Sequence, residues 1–187
     1  EIYNYKLLRD QLIQKNHQFK TNSDTEVLLK LYREYGVDML TQLRGMFAFA
    51  MWDEKNQGLF CARDPFGIKP LHWGIFNGFL LFGSEIKAVK QHPAFRADID
   101  PTSIDDHLTL MFIPTPKTIY RNLFKLEPGT LLVARPDGSY RKVTFAQPMK
   151  PSDSVERIAY SKENLEDKIG ECVRIALRSD VPLGVFL

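Results

Sequence analysis

Two apolar runs lie almost back to back in the stretch LRGMFAFAMWDEKNQGLFCARDPFGIKPL, residues 43–71. Residues 46–52 carry no polar side chain, and after a polar break at 53–57 a second run follows at 58–62. Adjacent strands without a polar face must be covered on both sides, so they belong inside a layered stack with a sheet or a helix against each face. The second run stops abruptly at Arg63, Asp64, Pro65, Phe66 and Gly67. Charge, a residue barred from central ladder bonding and a residue tolerant of positive φ meet there, which marks a shaped loop at a strand end.

The flanking sequence supplies the layers. Residues 6–15 place Leu7, Leu8, Leu12 and Ile13 on one helical face behind Asn4 as N-cap. A second helix opens at Ser23, with Glu26 at capping-box spacing and Asp24 at its first position. It carries Val27, Leu28, Leu31, Tyr32 and Tyr35 inward, and Gly36 stops it. Residues 71–76 and 79–82 read as two more strands turned by Asn77-Gly78, so four strands are expected together. A short helix at 85–91 follows, then one from Pro101 to about Phe112 with Ile104, Leu108, Met111 and Phe112 on a shared face, ended by Pro114 and Pro116. A late hairpin, 129–135 and 140–145, turns at Pro136-Asp137-Gly138. Residues 146–161 read as a linker. Beyond them Leu165, Ile169, Cys172, Val173, Ala176 and Leu177 form an amphipathic helix, and 181–187 reads as a buried strand just starting. One helix and one strand cannot bury themselves, so they are expected to open a second domain.

Composition narrows the function classes. With 187 residues, 44% of them hydrophobic, the chain can bury one full core but is short for two domains of usual size. A net charge of +2 with interspersed signs leaves no footprint for nucleic acid or an anionic membrane surface. No apolar run approaches the roughly 20 residues of a membrane span. Cys61 and Cys172 stand far apart in no paired or metal-spaced motif, which makes a reduced, cytoplasmic setting the default. Both ends, lacking an initiator Met and stopping inside an apolar run, are expected to be cut.

Unaided chemistry yields little. His17, His72, His92 and His107 show no metal-ligand spacing, and no nucleophile elbow or Walker loop occurs, so no metal is assigned. Cys61 and Cys172 read as small core residues, and Arg63 with Asp64 as an ion pair pinning a loop.

The wording of the chain says more. EIYNY at 1–5, SDTEVLL at 23–29, LRGMFAFAMWD at 43–53, ARDPFGIKPL at 62–71 and GSEIKAV at 83–89 follow in the order and spacing of the glutaminase domain of class II glutamine amidotransferases. Within that family the chain most resembles the glutamine-hydrolysing asparagine synthetases. IPTPKTIYRNLFKLEPG at 113–129 is similar to their inter-domain region, and RSDVPLGVFL at 178–187 to the strand before their ATP-pyrophosphatase loop. Second domains of phosphoribosylpyrophosphate amidotransferases and hexosamine synthases would not begin in that way.

The resemblance implies an α+β fold: a four-layer α/β/β/α N-terminal-nucleophile hydrolase sandwich over 1–147, a linker at 148–162, and the start of an α/β ATP-pyrophosphatase domain at 163–187. It implies a ligase in which an N-terminal cysteine releases ammonia from glutamine, its α-amine acting as base, and the ammonia amidates an aspartate adenylated by ATP with Mg2+. No catalytic residue is expected in this chain: the cysteine, the Asn-Gly oxyanion donors and the arginine for the glutamine carboxylate would lie upstream of Glu1, and the chain alone is expected to be inactive. Glu1 and Asp24 would hold the glutamine, and Leu187 would stand just before the phosphate loop at the ATP site. Glutamine, aspartate and ATP are the implied partners, with a homodimer left open. Two alternatives stand beside this one: an amidotransferase acting on another carboxylate, and a non-catalytic module that binds glutamine or a partner.

Overall fold

A computed structural model of the chain describes residues 1–147, 161–179 and 181–184, which gather into two units, Glu1–Gly45 with Met149–Leu187, and Met46–Pro148. The first unit opens with helix α1 (Tyr5–Gln14), which packs on α2 (Asp24–Tyr35). Tyr5, Leu8 and Leu12 are the buried stripe of α1, whereas Leu7 and Ile13, expected inside, are exposed. With Tyr5 on the inner face the stripe follows i, i+3, i+7, and residues 7 and 13 fall to either side of it. Asn4 stands at the N-cap position without capping. Its amide instead donates to Gln42 O at 2.9 Å and accepts from Arg44 N at 2.9 Å.

Helix α2 starts as its sequence dictates, with Ser23 Oγ accepting from Thr25 N at 3.1 Å. The expected capping box does not close. Glu26 reaches back beyond Ser23 to accept from Lys20 N at 2.9 Å and from Thr21 N and Oγ1 at 2.7 Å each. Those donors, the Lys20 backbone first, hold its carboxyl down to about 2 from an ordinary 4.5. Because the folded value is depressed, this contact adds stability above about pH 4.5, and the contribution fades as pH falls toward 2. Glu26→Gln is therefore expected to lower the thermal midpoint at pH 7 and to have a much smaller effect at pH 3. An equal deficit at both pH values would assign the effect to packing rather than charge.

The second unit is built of two antiparallel sheets. Strands β1 (Ala48–Asp53), β2 (Gly58–Arg63), β6 (Thr130–Ala134) and β7 (Tyr140–Thr144) form one, in the order β1-β2-β6-β7. Strands β3 (His72–Phe76), β4 (Phe79–Gly83) and β5 (Leu123–Lys125) form the other, in the order β4-β3-β5. The four strands expected together thus divide between two sheets, because residues 64–71 cross from one sheet to the other. Cys61 of β2 and Leu132 of β6 share an apolar cluster with Trp73 of β3, Leu71 and Leu126, so the sheets face each other. On the far side of the smaller sheet, Phe76, Leu81 and Leu123 pack with Val89 of α3 (Ile86–Val89) and with Ala94 and Phe95. Both predicted hairpins form, β3–β4 at Asn77-Gly78 and β6–β7 at Pro136-Asp137-Gly138.

Coverage on both faces falls on β2, as expected, and on β6 rather than on β1. β6 is buried at all five positions and β2 nearly throughout, whereas β1 is an edge strand with Ala50 exposed and Trp52 52% exposed. Sheet order, which the run of apolar letters does not encode, decides this. Helix α4 (Pro101–Leu110) is capped by Asp100, whose Oδ1 accepts from Thr102 N at 3.0 Å, and it turns Ser103 inward. Its predicted inner face, Ile104, Leu108, Met111 and Phe112, is exposed. The helix ends at Leu110, with Met111 left-handed at φ +62°, four residues ahead of Pro114.

In the first unit, α5 (Lys162–Ala176) begins at Ser161, whose Oγ accepts from Asn164 N at 3.1 Å. Its predicted apolar stripe, Leu165, Ile169, Val173 and Leu177, is exposed, and so is Cys172, expected in a core. Residues 181–184 are exposed and in no ladder, contrary to the buried strand expected there, since no described strand lies beside them to accept its hydrogen bonds. Leu187 and most of the 148–162 linker lie outside the described residues.

Candidate functional site

The first five residues are fixed by backbone chemistry. Ile2 forms a bridge with Gly45, Tyr3 N donates to Arg44 O at 2.7 Å, and Tyr5 N donates to Ile2 O at 3.1 Å. Asp24 adds a fourth hold, its Oδ2 accepting from Ile2 N at 3.1 Å. Gly45 makes the approach possible: at φ +152°, a Cβ there would stand 2.2 Å from Glu1 O, a distance no side chain tolerates. The glycine of the LRGMF stretch therefore seats Glu1 beside the start of α2.

Between them opens a cleft of about 520 Å³ lined by Glu1, Tyr5, Asn22, Ser23, Asp24 and Ser179. The structure brings the two predicted ligand-holding acids, Glu1 and Asp24, to one site. Two carboxylates favour a cationic group, and Asn22 with the serine hydroxyls can satisfy neutral polar groups on the same ligand. Asp24 still stands at the head of α2, so its helix-stabilising role and its place in the cleft coexist. Tyr5, Asn22 and Ser179 went unread in the sequence. Nothing local marks Ser179, whereas a glycine sandwiched between Arg44 and an apolar run was a legible sign of close backbone approach.

A different arrangement holds the loop after β2. Asp64 is 0% exposed, and its carboxylate accepts from Phe66 N at 3.1 Å and from Ile68 N and Lys69 N at 3.0 Å each. Arg63 donates to three carbonyls, Lys69 O at 2.8 Å, Leu126 O at 2.5 Å and Gly67 O at 2.7 Å. Gly67 sits at φ +64°, where a Cβ would come within 3.1 Å of that guanidinium. The side chains of both residues bond the loop's own backbone or that of Leu126, so both shape the loop as expected, but each does so through backbone groups rather than through the ion pair expected between them. Cys61, enclosed between the sheets, has its thiol pushed up to about 12 by burial and remains a core residue.

The match to known proteins agrees with the geometry. The model of the glutamine amidotransferase domain family covers residues 1–145. Asparagine synthetase [glutamine-hydrolyzing] 1 of Bacillus subtilis is 42% identical over 190 residues, with all of this chain and 29% of that protein covered. Asparagine synthetase [glutamine-hydrolyzing] 3 of the same organism is 38% identical over 189 residues, again over the whole chain and 30% of that protein. The chain thus spans about three tenths of the length of these relatives. In fold it is similar to the glutamine phosphoribosylpyrophosphate amidotransferase of Bacillus subtilis, with a TM-score of 0.51 and 22% identity over 78% of this chain and 27% of that one. That likeness agrees with the mixed α+β class and its antiparallel sheets. The chain belongs to the glutamine amidotransferase domain family.

Proposed function

We propose that the chain is the glutamine-binding part of a glutamine-hydrolysing asparagine synthetase, which takes ammonia from glutamine and amidates an adenylated aspartate. The observation that carries this reading is the meeting of Glu1 and Asp24 on one cleft. Free glutamine brings an α-ammonium that a carboxylate pairs and that a substrate without an amine cannot satisfy. The hydroxyls and the Asn22 amide suit its remaining polar groups. In this reading the glutaminase domain spans 1–147, the linker 148–162, and the ATP-binding domain begins at 163. The nucleophilic cysteine belongs upstream of Glu1. Aspartate, ATP and Mg2+ belong to the second domain, with Leu187 at its phosphate loop, and no group of described residues is shaped to hold a metal. An enzyme acting on another carboxylate would keep this cleft and differ in the second domain. A cytoplasmic setting fits both, and no described helix is long and apolar enough to cross a membrane.

Glutamine and its analogue lacking the α-amine distinguish the outcomes. In calorimetric titration of the full-length protein, glutamine is expected to bind and the amine-free analogue to bind at least about tenfold more weakly, the loss of roughly one charge-assisted contact. Equal affinity for both would remove the carboxylates from ligand recognition. Binding of glutamine without any release of ammonia would identify a non-catalytic module instead.

A further inference from the structure

Glu171 near the end of helix α5 and Arg178 just beyond it reach the segment that seats Glu1. Arg178 Nη1 donates to Tyr3 O at 2.6 Å, and its guanidinium carbon lies 5.5 Å from the centroid of the Tyr5 ring. Seven residues earlier, on the same side of the helix, Glu171 Oε1 pairs with Arg44 Nη1 at 3.3 Å. Tyr3 and Arg44 are the next residues along the two chains of the Ile2–Gly45 bridge that seats Glu1, and they bond each other. Glu171 of α5 and Arg178 after it thus touch both chains of that bridge, while Ser179, the residue after Arg178, lines the cleft itself. The exposed stripe of Leu165, Ile169 and Val173 points the opposite way.

We propose that Arg178 is a positioning residue of the glutamine cleft, fixing the Tyr3–Tyr5 turn and with it Glu1, so that the segment opened by α5 sets how well the cleft takes its amine-bearing ligand. This rests on the reading of the cleft as a glutamine site. The geometry is what such a role needs. The Tyr3 carbonyl is two residues from Glu1, so a shift of the turn moves the carboxylate. Tyr5 both lines the cleft and carries the guanidinium on its ring, an arrangement that combines a charge-assisted hydrogen bond with a cation–π contact. Lysine can supply a single charged donor but not the planar, five-donor fork of a guanidinium.

The test compares Arg178→Ala, Arg178→Lys and Asp24→Asn in the full-length enzyme, measuring glutamine-dependent and ammonia-dependent synthesis. Arg178→Ala is expected to raise KM for glutamine by about tenfold, the loss of one charge-assisted hydrogen bond. Its kcat and its ammonia-dependent rate should stay within about twofold of the parent. Arg178→Lys should fall between the two. An unchanged KM in Arg178→Ala, with Asp24→Asn impaired, would overturn the role of Arg178 and leave the glutamine site standing. Loss of glutamine-dependent and ammonia-dependent rates alike in both Arg178 variants would show a structural residue and overturn it too. No effect of Asp24→Asn or of either Arg178 variant on glutamine use would overturn the site itself.

Discussion

Asp24→Asn in the full-length enzyme is expected to reduce glutamine-dependent synthesis by at least about thirtyfold in kcat/KM while leaving synthesis from added ammonia unchanged. Removing one partner of a paired charge costs about 2–5 kcal/mol, and the half-buried position of Asp24 places it toward the lower end. The substitution is nearly isosteric, and this isolates the charge. The asparagine carbonyl can keep the bond from Ile2 N, now made by Asp24 Oδ2, which leaves the amide NH2 to face the ligand. An NH2 meeting an ammonium is a donor against a donor. In the proposed function added ammonia does not need this cleft, so its rate serves as the internal control for folding. If both rates fell together, Asp24 would be serving only the head of α2.

Asp64→Ala should unfold the second unit far more readily, with a loss of about 3–5 kcal/mol from a total of about 5–15 kcal/mol for a domain of ordinary stability. Three backbone N–H groups, those of Phe66, Ile68 and Lys69, lose their acceptor, and the neighbouring guanidinium of Arg63 loses its counter-charge. Asp64→Asn should lie between the parent and Asp64→Ala. Its amide oxygen can replace Oδ1 for Phe66 and Ile68, but its NH2 would oppose Lys69 N–H, which now donates to Oδ2. Urea unfolding followed by the fluorescence of Trp52 and Trp73 reads this unit directly. A loss within about 0.5 kcal/mol, as for an ordinary surface substitution, would show that the loop does not depend on the carboxylate.

These two aspartates show where sequence reading succeeds and where it stops. Asp64 was legible as a loop-shaping residue because Arg-Asp-Pro-Phe-Gly packs charge, a ladder breaker and a positive-φ residue into five positions, a local pattern with a local cause. Asp24 was legible as the head of a helix for the same kind of reason. Its place in a cleft with Glu1 came only from the resemblance to a family, since residues 1 and 24 are joined by no periodicity.

The sequence by itself determined the elements whose causes are short-range: α2 behind Ser23, the Asn77-Gly78 and Pro136-Asp137-Gly138 hairpins, and the burial of β2. Capping, turn geometry and apolar runs act over a few residues and are written where they act. Tertiary structure alone decided the rest. The partition of four consecutive strands between two sheets depended on which strand each could pair with, and β2 took β6, some seventy residues on, as its second neighbour. The outward turn of the apolar faces of α4 and α5 depended on which side found a partner among the described residues, and periodicity gives a face without saying what meets it. Even the floor of the cleft follows this rule. A glycine at 45, an aspartate at 24 and an arginine at 178 reach residues 1–3 across distances that the chain order does not record, Gly45 by its missing side chain and Asp24 and Arg178 by side-chain bonds to the backbone of Ile2 and Tyr3.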